Sequence, residues 1–598
     1  MEVRLKNKLL RILDQIPPLK EIMIADDDLE EKRKKIIKLL AEKLDSTFDE
    51  TLEIPALKWV LGRDAISNFR RIISIRSEAI SEFSFLKYMN DIILEGKKNT
   101  ISKPSPGFFA ELNHLLRGVS GISEVYPTVI PSFTKYSGVK AARLRSTDLS
   151  KMAQVAKKFM DRYSCGLDDD TKRRRYNNKS RILQYFEATD FEWTNWKWQL
   201  RHTIKDADTL KDLIHLTEEE YFAVKLAQKH RIPFGITPYY LSLMDYVSGK
   251  KRDDAIRAQV IPSKHYVDTL LKHRANKEGS MDFMLEQDTS PTEGITRRYP
   301  NIVILKPVLT CPQICVYCQR NWEIEDVHSR SAALSKHKLD KALDWIANTP
   351  EINEVLITGG DPFLLSNDQI ENLLYKLSRM KHVERIRIGT RTLVTLPQRI
   401  TESLVKDVSH FHIPGKREIL IVTHFEHPYE ITHQSMNAVQ KFRRNGIEVY
   451  NQLVFTFYNS RKFEASLLRH KLRLIGVTPY YTFNTKGKEE TEDFRVPISR
   501  LLQEQKEEAR LMPGTVRTDE VVFNVPGLGK NYLRAEQHHD VISILPDGRR
   551  VYEFHPWEKK LAIADTYVYT DVSIYTYLKK LQSCGENISD YNSIWYYY

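Results

Sequence analysis

Residues 302–318 read IVILKPVLTCPQICVYC, an apolar stretch followed at once by three cysteines. The apolar part, 302–309, has the length and composition of a buried β-strand. Five later stretches share this character and alternate with longer segments of helical period; they are residues 354–357, 385–388, 419–423, 449–455 and 474–483. Six repeats of strand and helix predict a parallel sheet with right-handed crossovers, closed into a partial (β/α)6 barrel of the α/β class.

The cysteines follow the first strand, and barrels of this kind carry their active sites in the loops after the carboxyl ends of strands. Three of the 5 cysteines in the chain fall in this one loop, which excludes a disulfide framework. Cys311, Cys315 and Cys318 have C-x3-C-x2-C spacing, which lets three thiolates wrap one face of an iron–sulfur cluster and leaves one iron of a four-iron cluster open. Zinc is the competing interpretation, but no fourth Cys or His with matching spacing is nearby.

The remainder of the chain predicts accessory parts around the barrel at residues 301–490. Residues 1–165 repeat apolar positions every three or four residues and predict an all-helical N-terminal domain. A polar linker is predicted at 166–187, because the stretch DDDTKRRRYNNKS has almost nothing to bury. The other predicted parts are a helical lead-in at 188–300, a glycine-rich lysine loop region at 491–536 and a short C-terminal extension at 537–598.

Composition excludes some classes of function. The chain of 598 residues is 41% hydrophobic and 28% charged, and no apolar run approaches the ~18–20 residues that would span a bilayer. The N-terminus lacks the unbroken apolar stretch of a signal peptide, so a cytoplasmic protein without a membrane role is expected. The net charge of +12 comes with basic runs at 32–35 and 172–175. Without interleaved aromatics or zinc-finger spacing, these runs indicate a solvated surface rather than nucleic-acid binding.

The cysteine loop resembles the signature of the radical S-adenosylmethionine (SAM) superfamily, including the aromatic residue before the last cysteine, Tyr317. This resemblance implies a [4Fe–4S] cluster whose open iron chelates SAM. It also implies that one electron, from a flavodoxin- or ferredoxin-type donor, cleaves SAM to a 5′-deoxyadenosyl radical that abstracts hydrogen.

The sequence is similar more specifically to the lysine 2,3-aminomutase family, and most to its glutamate 2,3-aminomutases. The motifs that carry this similarity, in family order, are TNWKWQLRHTI, GITPYYLSLMD, SPTEGITRRYP, the cysteine loop, LITGGDPFLLS, RIGTRT, THFEHP and GIEVYNQLVF. Alone, a glycine pair after a strand more often marks a tight turn than a ligand site. By resemblance, the residues that bind SAM are Tyr317, Gly359, Gly360, Asp361, Pro362, His424 and Gln452.

The family also uses pyridoxal 5′-phosphate, which implies a Schiff-base lysine. Lys530 in VPGLGKN matches that lysine, although the loop is one residue shorter than the family pattern. Arg298 and Tyr299 match the positions that hold the phosphate and ring of the cofactor. Ile302 stands where some relatives have a second basic residue, so phosphate recognition is only partly explained.

Substrate positions follow by the same resemblance. Arg320 matches the arginine that pairs with the α-carboxylate of the substrate, a role suited to a planar guanidinium. Lys486 and Asn524 match two aspartates that clamp the distal ammonium in the lysine enzymes. A cation and an amide would repel a lysine ammonium and favour a distal carboxylate. Alternatively, Lys486 is a solvated loop charge.

The predicted function is therefore a radical SAM aminomutase, an isomerase that moves the amino group of L-glutamate from C2 to C3 and gives β-glutamate. A lysine 2,3-aminomutase or an aminomutase of another amino acid is the alternative, and a non-catalytic binding or regulatory protein is a more distant one. A homo-oligomer is expected. No function is predicted for residues 1–165 or for the aromatic tail that ends in SIWYYY.

Overall fold

The computed structural model describes residues 2–46, 56–94, 102–123, 125, 131–247, 252–276, 281–327, 329–485, 487–509, 511–527, 529–535, 537–556 and 565–598. The chain forms two compact units. The barrel unit comprises Lys157–Arg495 and Met512–Gly529, and the helical unit comprises Met1–Ala156, Val496–Leu511 and Lys530–Tyr598. This division differs from the predicted domains, because the N-terminal helices and the C-terminal extension share one unit.

The N-terminal part of the helical unit is built of helices, as predicted. They are α1 (Glu2–Leu13), α2 (Pro17–Ile24), α3 (Leu29–Ser46), α4 (Ala56–Ile72), α5 (Ile75–Ser81), α6 (Phe85–Leu94), α7 (Pro106–Val119) and α8 (Gly138–Met160), with a 3-10 turn at Ser132–Lys135. Ser105 begins α7 by accepting a hydrogen bond from the Phe108 amide, which satisfies one of the free N–H groups of the first turn. Phe108, Leu112 and Leu116 of α7 are fully buried, so this helix forms part of the unit's core.

The described part of the barrel unit contains eight strands in chain order across one sheet. They are β1 (Ile295–Thr296), β2 (Ile302–Val308), β3 (Glu354–Gly359), β4 (Arg385–Gly389), β5 (Glu418–Thr423), β6 (Glu448–Phe455), β7 (Val477–Asn484) and β8 (Glu520–Val525). β1 is antiparallel to β2, and every pair from β2 to β8 is parallel. The six predicted strands are β2–β7, which confirms the α/β fold, and β8 adds a seventh parallel strand.

Helices precede the first strand and connect the later ones. They are α9 (Asp169–Tyr185), α10 (Asp190–Trp193), α11 (Trp196–Arg201), α12 (Ala207–Leu213), α13 (Glu218–Lys229), α14 (Pro238–Leu241), α15 (Asp254–Ala258), α16 (Lys264–Asn276), α17 (Lys336–Ala347), α18 (Asn367–Ser378), α19 (Thr392–Thr395), α20 (Glu402–Ser409), α21 (His433–Arg444) and α22 (Glu464–Leu474). Shorter 3-10 helices lie at Gln287–Thr289, Arg330–Ala332, Pro362–Leu364, Pro397–Arg399, Pro428–Glu430, Phe457–Asn459 and Glu489–Phe494.

α18 illustrates why these segments become helices. Ser366 and Gln369 form a capping box at its start, in which each side chain bonds the other residue's backbone N–H. Ile370, Leu373 and Leu377 then recur on one face and are buried. A central strand, in contrast, is buried along its length and not on one face only. β5 is buried from Ile419 to Thr423, as expected for a parallel strand covered on both faces.

The segment predicted as a linker, residues 166–187, is instead largely helical, because α9 occupies Asp169–Tyr185. Three of its side chains are buried: Thr171, Asn178 and Ile182. The Asn178 amide donates hydrogen bonds to the carbonyl oxygens of Ser242 and Met244, at 3.0 and 2.6 Å. The polar composition therefore reflects buried hydrogen bonding as well as solvation.

The chain leaves the barrel unit at β9 (Gly529–Tyr532). The helical unit also includes α23 (Ile498–Glu508), the antiparallel strands β10 (His539–Ile544), β11 (Arg550–Phe554) and β12 (Tyr567–Thr570), α24 (Ile574–Ser583) and a 3-10 segment at Ile588–Tyr596. The aromatic tail packs inside this unit, since Trp595 stacks on His114 with ring centroids 4.7 Å apart. Buried Arg550 pairs with Glu111 of α7 at 3.0 Å. Among the described residues, no helix has both the length and the apolarity needed to cross a membrane.

Candidate active site

The three predicted cluster cysteines lie together in the loop after β2 and border two cavities. Cys311, Cys315 and Cys318 all line a central cavity of about 270 Å³ and a second cavity of about 380 Å³. Burial raises the pKa of the Cys315 thiol, and the neighbouring Arg391 charge opposes that rise. No three His, Cys, Asp or Glu side chains of the described residues converge on a site for a single metal ion. The thiols thus border a shared space large enough for a multi-atom cluster.

The Gly-Gly-Asp turn after β3 packs directly against the start of the cysteine loop. The Gly360 and Asp361 amides donate to the carbonyl oxygens of Val308 and Thr310, at 2.7 and 2.9 Å. A Cβ on Gly360 would overlap the Thr310 backbone, and Gly359 has a φ of +105°. Glycine is required at both positions, because a side chain would push the turn away from the cysteines.

The carboxylate of Asp361 is held in place by hydrogen bonds within the protein. Its carboxylate accepts hydrogen bonds from the Thr390 hydroxyl at 2.7 Å, from the Arg391 amide at 2.9 Å and from the Phe363 amide at 3.1 Å. The residue is only 3% exposed. The carboxylate therefore ties the turn after β3 to the turn after β4, while the backbone of the motif borders the central cavity.

The central cavity brings together most of the residues predicted to bind SAM. Its lining includes Tyr317, Gly359, Gly360, Asp361, His424 and Gln452. Pro362 is buried at the start of the following 3-10 helix. Burial, reinforced by the Arg391 charge, lowers the pKa of His424 to about 4, so its imidazole is neutral near pH 7.

Two arginines near the cysteine loop share one buried carboxylate. Oε1 of Glu286 lies 3.1 Å from Nη2 of both Arg298 and Arg320. Lys306, on β2, adds a third cation, with its Nζ 2.7 Å from Glu323 Oε2 and 3.9 Å from Glu286 Oε2. Nε of Arg298 is buried and has no hydrogen-bond partner among the described residues. A cluster of three cations and two carboxylates with a free buried donor fits an anionic ligand such as a phosphate.

The comparisons with known proteins agree with this geometry. The radical SAM superfamily model matches residues 305–468, which include the cysteine loop, the Gly-Gly-Asp turn, His424 and Gln452. The chain is 41% identical to an uncharacterised KamA family protein of Methanocaldococcus jannaschii, over 98% of this chain and 97% of that relative. The chain belongs to the KamA family. The predicted resemblance is thereby confirmed, and the radical SAM domain implies a [4Fe–4S] cluster and SAM.

Other KamA family relatives are similar over part of the chain. The glutamate 2,3-aminomutase of Clostridioides difficile is 36% identical over 54% of this chain and 72% of its own length. The L-lysine 2,3-aminomutase of Clostridium subterminale is 35% identical over 60% and 83%. Among solved structures, Streptococcus suis SuiB bound to S-adenosylmethionine is 15% identical over 52% of this chain and 67% of that one. Its TM-score is 0.29, a similarity too low to compare the two structures further.

The remaining predicted residues of this KamA family protein are only partly brought together. Arg320 and Asn524 line the central cavity. A Cβ on Gly529, whose φ is +81°, would lie 3.0 Å from the Tyr299 hydroxyl, so the glycine loop passes beside that ring. Lys530 is half-buried on β9 and begins the part of the chain assigned to the helical unit; its role stays a prediction. Lys486 lies outside the described residues.

Sequence reasoning missed four charged residues at the site: Glu286, Lys306, Arg391 and Lys488. Lys488 lines the central cavity, is buried, and pairs with Glu490 at 2.7 Å and with Asn321. One signal could have revealed Lys306, since a lysine inside the apolar strand IVILKPV must find a buried partner. Glu286 and Arg391 carry no comparable local pattern, because their partners Arg320 and Glu430 are 34 and 39 residues away along the chain.

Glu426, near the cavity, predicts a pH effect on the stability of this KamA family protein. Burial raises its pKa to about 8, although Arg391 opposes the rise. The folded chain therefore holds this proton more tightly than the unfolded chain, and the stability that this gives is lost progressively as the pH rises from the ordinary pKa of 4.5 to about 8. We expect Glu426→Gln, which cannot ionise, to melt at a Tm several degrees above wild type at about pH 9, and closer to wild type at about pH 6, measured by circular dichroism.

Glu464 provides a control, because its pKa is shifted in the opposite direction from that of Glu426. Burial favours its neutral form, but Arg461 and His427 outweigh burial and lower its pKa to about 2. Glu464→Gln should therefore lower the Tm by a similar amount at both pH values, since the carboxylate is charged at both. A Tm difference for Glu426→Gln that does not change with pH would contradict the expected ionisation of Glu426.

Proposed function

We propose that this protein is a pyridoxal-phosphate-dependent radical SAM aminomutase that interconverts L-glutamate and β-glutamate by moving the amino group between C2 and C3. The central cavity carries the proposal, because the cysteine triplet, the Gly-Gly-Asp turn, Arg320 and Asn524 line one space. An enzyme that forms a radical beside an amino acid needs such a shared space, since hydrogen transfer requires the reacting atoms to be in near-attack contact.

Each implied group brings a chemistry that side chains lack. When bound, the cluster supplies an electron, SAM supplies the hydrogen-abstracting radical, and pyridoxal phosphate supplies a π system that stabilises an unpaired electron during amino migration. A flavodoxin- or ferredoxin-type protein would deliver the electron. Cys311, Cys315 and Cys318 would hold the cluster, and Lys530, Arg298 and Tyr299 would hold pyridoxal phosphate.

Arg320 would bind the α-carboxylate of the substrate. Its guanidinium is 14% exposed, lines the central cavity and contacts Glu286 and Glu323 at 3.1 and 3.2 Å. A substrate carboxylate would exchange with one of these partners, so Arg320 is kept charged and oriented before the substrate arrives. The planar fork of arginine suits two parallel hydrogen bonds to a carboxylate.

The far end of the substrate decides between glutamate and lysine. Asn524 borders the cavity and carries no charge, and Lys486 would supply a cation. This pair would attract the side-chain carboxylate of glutamate and repel the ammonium of lysine in a poorly solvated site. The 36% identity to a glutamate 2,3-aminomutase supports this choice. The 35% identity to a lysine 2,3-aminomutase keeps lysine as the alternative substrate.

The test is an anaerobic assay of full-length enzyme reconstituted with iron, sulfide, SAM and pyridoxal phosphate and reduced with dithionite. We expect wild type to convert L-glutamate to β-glutamate, with kcat/KM for lysine lower by about 100-fold, because a misplaced charge in a buried pocket costs several kcal/mol. Products are separated by chromatography and identified by mass spectrometry.

A double variant, Lys486→Asp with Asn524→Asp, is the matched comparison. Two anions at the far end should reverse the preference toward lysine while SAM cleavage continues. Equal or greater turnover of lysine by wild type would overturn the glutamate assignment. Absence of 5′-deoxyadenosine with any amino acid, from protein that carries full iron, would favour the non-catalytic alternative.

A further inference from the structure

The guanidinium of Arg391 is buried and contacts one of the three cluster cysteines. It lies just after β4, its side chain is 11% exposed, and its Nη1 donates a hydrogen bond to Cys315 Sγ at 2.7 Å. The two residues come from turns that follow different strands of the parallel sheet. A guanidinium at this distance from a thiolate forms a charge-assisted hydrogen bond.

Surrounding groups hold this guanidinium in one orientation. Nη2 donates to Glu430 Oε1 at 2.7 Å and also contacts the Gln259 side chain, while Nε donates to the His424 carbonyl oxygen at 3.2 Å. Glu430 is fully buried, and its Oε1 also accepts from the Tyr240 hydroxyl at 2.6 Å. Side chains that are locked in this way keep their geometry when a neighbouring group changes charge.

Glu430 is itself fixed by the backbone. Its second oxygen, Oε2, accepts from the Glu426 amide at 2.7 Å. Gln259 is likewise anchored, because its backbone carbonyl oxygen accepts a hydrogen bond from the Val316 amide inside the cysteine loop at 2.8 Å. Arg391 is thus hydrogen-bonded both to the loop that carries the cysteines and to the carboxylate of Glu430, which is buried and fixed in place.

We propose that Arg391 is a positioning residue for the iron–sulfur cluster that raises its reduction potential through the hydrogen bond to Cys315. Reduction adds one electron from an external low-potential donor to the cluster and breaks no bond. A fixed cation beside the sulfur stabilises the reduced cluster more than the oxidised one, since hydrogen bonds and charge near cluster sulfurs set its potential. This inference needs the cluster that the family implies, but not the assignment of glutamate as substrate.

The test measures the cluster directly, without SAM or any amino acid. Full-length wild type, Arg391→Met, Arg391→Lys and Arg417→Met are reconstituted, assayed for iron, and titrated with a low-potential reductant while the reduced cluster is followed by electron paramagnetic resonance. Arg417 is a matched control: it is a buried arginine at the amino end of β5, and it donates to the Val383 and Ser378 carbonyl oxygens.

We expect Arg391→Met to lower the ratio of reduced to oxidised cluster at least tenfold at a fixed potential, which is a shift of about 59 mV for one electron. The reduction potential of Arg391→Lys should fall between those of Arg391→Met and wild type, because lysine keeps the charge but lacks the planar guanidinium that Glu430 holds. Arg417→Met should titrate as wild type does.

Two outcomes would overturn the proposal. The first is an unchanged potential in Arg391→Met with full iron content. The second is an unchanged potential together with a loss of SAM affinity, measured for the same variant in a separate binding titration, which would make Arg391 a ligand of SAM instead. If Arg391→Met does not retain iron, Arg391→Lys decides, and a potential equal to or above that of wild type refutes the proposal. Failure of the enzyme to convert glutamate would leave this titration unaffected.

Discussion

Cys315→Ala is expected to abolish SAM cleavage and to remove most of the iron that the reconstituted protein binds. The thiol is one of three that border both cavities, and no fourth cysteine among the described residues lines either cavity to replace the ligand that a four-iron cluster would lose. The variant also deprives the Arg391 guanidinium of its sulfur partner. Iron and sulfide content, the electron paramagnetic resonance signal and 5′-deoxyadenosine formation measure the loss.

Cys165→Ala is the matched control for this experiment. Cys165 is also buried, but it precedes α9, and its amide donates to Asp168 Oδ2 at 2.7 Å. Its thiol lies outside the cysteine loop, so this variant should keep iron and SAM cleavage at wild-type levels. Full iron content and continued 5′-deoxyadenosine formation in Cys315→Ala would exclude the triplet as the cluster site.

Lys530→Ala is expected to lose the visible absorbance of pyridoxal phosphate bound to a lysine, together with all amino migration. An alanine cannot form the covalent link that the lysine amine makes with the aldehyde of the cofactor. SAM cleavage driven by dithionite should persist, because the cysteine loop is unchanged. The measurement is the absorbance spectrum after removal of free cofactor, with iron content as a check of folding.

The competing lysine is Lys306, which is buried beside the ion pair of Arg298 and Glu286. Lys306→Ala should retain the absorbance of the lysine-bound cofactor, with weaker binding of pyridoxal phosphate because one cation near the phosphate is lost. The reverse pattern, with absorbance kept in Lys530→Ala and lost in Lys306→Ala, would move the covalent link to Lys306 and refute the loop assignment.

Local patterns predicted the strands well and the polar segments poorly. β2–β7 follow the predicted apolar stretches closely, because a strand buried in a parallel sheet must be apolar along its whole length. α9 was missed because its buried Asn178 bonds to carbonyl oxygens 64 and 66 residues away, which no window of sequence contains. The grouping of the N-terminal helices with the C-terminal extension was missed for the same reason, since Arg550 and Glu111 are 439 residues apart.

The cysteine loop marks the boundary between what the sequence by itself determined and what the tertiary structure decided. The sequence alone specified the three thiols, the glycine turn and the parallel sheet, since thiolate spacing and strand periodicity are properties of neighbouring residues. The tertiary structure decided the charges around them: it set Arg391 against Cys315 across 76 residues, and it joined Arg298 and Arg320 through Glu286. Electrostatic partners act through space, so only the folded chain determines which charges meet.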